Sequence, residues 1–279
     1  MARASFEYYS ASLKREISIR ILFPNEEITA RQSESPLYPV LYLLHGGAND
    51  VTTFERYTSI ERYIAQAGMV AVLFSAENKY YRDVTATILE HPAGSIQLFE
   101  EYSNLIHREL PAFLTSHFHV SQRPEDTYIA GFSMGGYGAA YHALLFPDRF
   151  CAAGVFSGLV FQRKCCFLST SERQHMSEED KKNALLPELA ELIRQNIQKG
   201  IPLPKFYLSN GTKDITEFLP LFERELAEAG ADLTTDYSKP FAHEWGIWDL
   251  NVKDFINWLP RTDGHAALKR RNPYESMHL

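Results

Sequence analysis

The stretch YIAGFSMGGYGAAYHALLFPDRF, Tyr128–Phe150, is an apolar run broken by one serine among glycines, after which helix-forming residues take over. Gly131-Phe132-Ser133-Met134-Gly135 fits G-x-S-x-G in the context that pattern needs: a buried strand runs into the serine and a helix leaves it. Such a sharp strand-to-helix turn holds the serine in a strained backbone conformation, and side chains two positions away on either side would collide. Glycine at 131 and 135 removes that collision. Pro147 is expected to end the helix. The turn predicts a serine presented at the C-terminal edge of a sheet.

Working outward, VLYLLH, MVAVLFS, CAAGVFS and KFYLSNG are short continuous apolar runs bounded by Gly, Ser, Asn or charged residues. That pattern suits strands buried on both faces of a parallel sheet. FEYYS and EISIRILF alternate polar with apolar residues and predict an N-terminal antiparallel hairpin. Between the buried runs, Gln97–Phe118, Glu217–Ala229 and Trp248–Leu259 carry apolar stripes at helical spacing, the first with a kink expected at Pro111. Strands alternating with helices of this length predict a mostly parallel, doubly wound α/β sheet. No linker divides the chain. One domain is expected over residues 1–262, with a helical insertion at about 160–203 and a tail at 263–279.

Hydrophobic residues make up 45% of the 279 and aromatics 13%, enough for a packed core. A net charge of −7 supplies no attraction for nucleic acid or an anionic membrane. The start, MARASFEYYS, lacks the apolar core of a secretory signal, and the longest apolar runs fall far short of the ~20 residues that cross a bilayer. The three cysteines, Cys151, Cys165 and Cys166, leave one over after any pairing, which favours a reducing, cytoplasmic setting.

A serine hydroxyl is a weak nucleophile at neutral pH and needs a base that is itself oriented by an acid. Of ten histidines, His142 lies on the helix leaving the serine, His175 in a charged insertion, and His265 and His278 in the polar tail. His243, in a loop before the last helix, is the candidate base. Asp214 follows the strand KFYLS and sits between Ser133 and His243 in the chain, as an orienting acid would. Glu217 competes on the same loop. Asp148 and Asp236 read as structural.

An oxyanion needs backbone N–H donors. Met134, next to the serine, supplies one, and Gly47 in LLHGGAND supplies the other from the loop after an earlier strand. His45 reads as a hydrogen-bonder that shapes this loop. Tyr80 and Tyr81, with Asp83, are candidates for the mouth of the site or plain loop residues, and Trp245 and Trp248 for its wall or the core. His117 and His119 lack a third ligand at metal spacing, so no metal site is expected. The basic run Lys269, Arg270 and Arg271 reads as a solvated end.

Taken together, LLHGG, IAGFSMGGYGA, NGTKD and AHEWGIWD resemble, in order and separation, the esterase D and tributyrin-esterase family of α/β-hydrolases. That family includes feruloyl and acetyl esterases and S-formylglutathione hydrolases, and the similarity spans about Ser5 to Leu259. The resemblance implies an α/β-hydrolase fold and hydrolysis of small carboxylic esters by Ser133, Asp214 and His243, with no cofactor. NKYYRDV matches the family's substrate loop only loosely, and Gln162–Gly200 has no counterpart. In that insertion Leu185, Leu189, Leu192, Ile193 and Ile197 fall on one helical face and predict a small cap over the site. The expected partner is a small ester, and a homo-oligomer is left open. An acyltransferase or thioester hydrolase on the same residues is the alternative, and a non-catalytic binding protein the remoter one.

Overall fold

The computed structural model describes residues 2–24, 36–91 and 94–266. Strands β1 (Ala2–Ser10) and β2 (Arg15–Phe23) form the expected antiparallel hairpin. β2 joins a sheet through antiparallel pairing with β4 (Val70–Phe74). From there the pairing is parallel: β3 (Val40–Leu44), β7 (Thr127–Phe132), β8 (Ala152–Phe156), β9 (Lys205–Ser209) and β10 (Leu233–Asp236) complete eight strands in the order β1-β2-β4-β3-β7-β8-β9-β10.

Every residue of β3, β4, β7 and β8 is buried, which is why those strands read as unbroken apolar runs. The strands still alternate by face. Tyr42, Leu44, Val72, Ile129 and Val155 join the core layer of the Met134–Leu145 helix, whereas Leu41, Leu43, Ala71, Tyr128 and Phe132 join that of the Ile60–Ala67 and Trp245–Trp258 helices.

Five expectations are corrected. Gln97–Phe118 is not one helix: Gly94–Glu100 is strand β6, paired with Val84–His91 (β5) in a separate two-stranded sheet, and helix begins at Tyr102. Near Pro111 the helix widens instead, with a π turn at Leu105–Glu109 in which Leu110 N–H reaches Leu105 O. The last helix begins at Trp245, not Trp248, because Gly246 continues the helix rather than breaking it.

In the insertion helix, Pro187–Lys199, the buried face is Leu189, Ile193 and Asn196, and Ile197 is 52% exposed. Asn196 Nδ2 donates to Leu144 O at 2.7 Å and Tyr137 hydroxyl donates to Glu188 at 3.0 Å, so this helix packs beside the helix that follows Ser133. Finally, residues 263–266 are not a solvated tail. Asp263 pairs with Arg261 at 2.7 Å, and His265, buried, donates to Pro36 O at 2.9 Å and stacks on Tyr38. Lys269, Arg270, Arg271 and His278 lie outside the described residues.

Candidate active site

β7 delivers the chain to Ser133, whose backbone (φ 56, ψ −119) is a left-handed conformation that few non-glycine residues adopt. Ser133 N–H donates to Phe156 O at 2.9 Å, pinning the turn to the end of β8. A Cβ at Gly131 would meet Gly135 backbone and stand 2.6 Å from Leu44 O, and one at Gly135 would run into the same Leu44 carbonyl. The glycines are therefore a steric requirement of the turn.

The Ser133 Oγ lies 3.0 Å from His243 Nε2, and His243 Nδ1 lies 3.1 Å from each Asp214 carboxylate oxygen. The carboxylate can only accept, so Nδ1 carries the proton and Nε2 is left to accept from the serine hydroxyl. Asp214 and His243 meet because their loops are bonded together: Thr212 N–H donates to Lys239 O and Lys213 N–H to Phe241 O. Asp214 keeps 3% of its side chain exposed. Burial pushes its pKa up, but hydrogen bonds from His243, Ile215 N–H and the Ser157 hydroxyl outweigh this and hold it below the ordinary carboxylate value.

Glu217, the competing acid, is turned away and paired with Arg173 at 3.3 Å. His142 is buried on the far side of its helix, donating to Tyr81 O at 2.7 Å. His175 is exposed and bonded to Ser171 O.

β3 lies beside β7 with Leu44 opposite Gly131, so the chain leaving β3 runs along the serine turn. His45 Nε2 accepts from Ala76 N–H at 3.1 Å, and its Nδ1–H therefore donates to Gly46 O at 2.7 Å. Burial lowers its pKa and keeps it neutral, a loop-shaping role rather than a base. Among the described residues, neither Gly47 N–H nor Met134 N–H has a protein acceptor.

Tyr81 does not line the mouth. It is fully buried and its hydroxyl donates to His45 O at 3.1 Å, because the apolar pocket beneath the loop takes the ring. Asp83 is engaged by Ser103 N–H at 2.8 Å. Tyr80 stays partly exposed, edge-on to Tyr137 at 5.8 Å.

Trp248 is core and site at once: it stacks on Phe132 at 4.2 Å and meets the His243 ring edge-on at 5.0 Å. Trp245, half-buried, stacks on the exposed Tyr57 at 4.9 Å. Sequence reasoning missed Ser157, whose hydroxyl accepts from Trp248 Nε1–H at 3.2 Å and supports Asp214. Its one signal was a serine closing the buried run CAAGVFS. Among the described residues no cluster of His, Cys, Asp and Glu is arranged for a metal ion, and no helix is long and apolar enough to cross a membrane.

A mostly parallel sheet with antiparallel N-terminal strands and a serine at a strained strand-to-helix turn is the architecture of the α/β-hydrolases. The chain belongs to the Esterase family, whose sequence model matches residues 10–254. It is 24% identical over 277 residues to an acetyl esterase of Caldicellulosiruptor saccharolyticus, covering 94% of this chain and 99% of that one.

Among solved structures it resembles the Staphylococcus aureus fluorophosphonate-binding serine hydrolase FphF, with a TM-score of 0.73, 24% identity and coverage of 92% and 98%. It also resembles the S. aureus S-formylglutathione hydrolase FrmB, with a TM-score of 0.71, 22% identity and coverage of 92% and 98%. The family makes this protein a carboxylic ester hydrolase.

Proposed function

We propose that the protein is a serine carboxylesterase that hydrolyses small, short-acyl esters through an acyl-enzyme on Ser133. The observation that carries this is the hydrogen-bonded line from Ser133 Oγ through His243 to Asp214, at 3.0 and 3.1 Å. As Oγ attacks the ester carbonyl carbon, His243 Nε2 takes the hydroxyl proton, and Asp214 holds the resulting imidazolium. The carbonyl oxygen, now an anion, faces the N–H groups of Gly47 and Met134. Collapse expels the alcohol, which leaves with the proton from His243. Water then repeats the sequence on the acyl-enzyme, releasing the acid and regenerating Ser133. The chemistry calls for no cofactor.

The leaving alcohol must pass His243, and the aromatic surface on that side is Trp245 stacked on Tyr57. Trp245 is thus the wall residue of this reading, with Tyr80 across the turn by Tyr137. The name of the acetyl esterase relative supports a short acyl group. The odd cysteine among three supports a reducing, cytoplasmic setting.

The test is turnover of p-nitrophenyl acetate and butyrate, with and without added alcohols, by wild type and Ser133→Ala. Wild type releases nitrophenol and the free acid, and the variant loses at least ~10³-fold in kcat. Transfer to alcohols in preference to water would replace the esterase reading with an acyltransferase.

A further inference from the structure

We propose that Asn78 is a positioning residue for the oxyanion site, holding the loop that carries Gly47 so that the Gly47 N–H keeps its aim. This rests on the reading of Gly47 as an oxyanion donor. The residue after Gly47, Ala48, has φ 56, a left-handed backbone that an alanine adopts only when something compensates. What compensates is a hydrogen bond: Ala48 N–H donates to Asn78 Oδ1 at 2.8 Å. Among the described residues, Asn78 Oδ1 is also the one atom within reach of the open face of Gly47, 3.6 Å from where a Cβ would stand. On the other side Asn49 Nδ2 donates to Gly47 O at 2.7 Å, and His45 Nδ1–H occupies Gly46 O. The peptide groups flanking the Gly47 N–H are thus fixed from both directions.

Asn78 can act as a brace because its own loop is anchored. Ala76 N–H donates to His45 Nε2, Tyr81 hydroxyl to His45 O, and Lys79 Nζ to the buried Glu100 carboxylate at 2.9 Å. Glu77, Tyr80 and Tyr81 in this loop are all left-handed non-glycine residues, so it has one well-determined path rather than many. Asn78 is exposed, so its contact with Ala48 is not a by-product of burial in the core.

A donor that is present but loosely aimed should cost less than a missing one, which lowers kcat by ~10² to 10³. Asn78→Ala is expected to lower kcat for p-nitrophenyl acetate by ~10- to 100-fold, with KM within about twofold and an unchanged melting temperature. Binding of phenylboronic acid, a tetrahedral adduct former at the serine, should weaken by a similar factor. Ala48→Gly added to Asn78→Ala should recover part of the loss, since glycine takes the left-handed conformation without a side-chain penalty.

A kcat within twofold of wild type, or boronate affinity unchanged, overturns the proposal. Gly47→Pro, which deletes the N–H, separates it from the underlying reading. If Gly47→Pro is folded and active, Gly47 is no donor and both fall. If it is inactive while Asn78→Ala is normal, only the positioning role falls.

Discussion

Asp214 and Glu217 sit on one loop yet face opposite partners: Asp214 receives His243 Nδ1 at 3.1 Å, while Glu217 is clamped by Arg173 at 3.3 Å. A choice between two acids that spacing leaves open is decided by the hydrogen bonds that join residues 211–214 to the His243 loop. Asp214→Asn is therefore expected to lower kcat by ~10⁴ with little effect on folding, because it loses the tautomer that leaves Nε2 free. Glu217→Gln should do the reverse. The Arg173 and Glu217 side chains are each 9% exposed, and removing one partner of such a pair costs about 3 to 5 kcal/mol. Kinetics and thermal melts on both variants check the assignment, and a catalytic loss confined to Glu217→Gln would reverse it.

Ser133 and His243 are proposed to act as a unit, so their losses should not add. Ser133→Ala, His243→Ala and the double variant should share one residual rate, and a fluorophosphonate probe should label wild type but not Ser133→Ala. Labelling that persists in Ser133→Ala would place the nucleophile elsewhere.

Acid should destabilise the fold in two stages. His142 is buried and bonded to Tyr81 O and His107, and burial above all holds its pKa at about 4 against 6.5 in the unfolded chain. The unfolded chain then binds the proton first, so the stabilisation from a neutral His142 is complete above pH 6.5 and drains away as pH falls towards 4. Asp214 follows at lower pH, since its depressed pKa gives stability that is whole above 3.8 and lost as pH falls through the folded value. Melting temperatures from pH 8 to 4 should fall most steeply below 6.5, where His107, pushed down to about 2 mainly by burial, acts in the same sense, and His142→Gln should flatten that slope in part. An equal slope in the variant would assign the proton to another group.

What was legible in the sequence was whatever a single local constraint dictates. The turn at Ser133 tolerates only glycine at 131 and 135, and strands with both faces covered must be apolar throughout, so both leave plain marks. Gln97–Glu100 left none, because Leu98 fits a helical stripe and a hairpin strand alike, and the strand it pairs with, Val84–His91, lies further back in the chain. Tyr81 and Ser157 were opaque for a different reason. Their roles come from partners distant in the chain, His45 and Trp248, and neither spacing nor periodicity reports a tertiary hydrogen bond. Ile197 marks the same limit on a finer scale: a stripe predicts which side of the insertion helix is apolar, but the neighbour decides which part of it is covered, and here Asn196 reaching Leu144 O takes the place expected of Ile197.

Acyl-chain preference provides the last test. A lipase needs a cover that swings aside to open a long apolar groove, whereas the insertion here is fastened at several points. Phe161 stacks on Phe218 at 4.4 Å, Leu186 N–H donates to Val160 O at 2.9 Å, Arg173 holds Glu217, and Asn196 bonds the helix after Ser133. Opening it would break a buried ion pair and expose Leu189 and Ile193, which are 2% and 3% exposed. On the expectation that the insertion caps the site, so fixed a wall should keep the acyl pocket short. Each methylene that fits adds at most ~0.8 kcal/mol, roughly fourfold in kcat/KM, and the first that does not fit brings a steep fall. Across p-nitrophenyl esters from C2 to C16, kcat/KM is expected to peak at acetyl to butyryl. A value still climbing beyond C8 would mean that the insertion moves, and would point to a lipase instead.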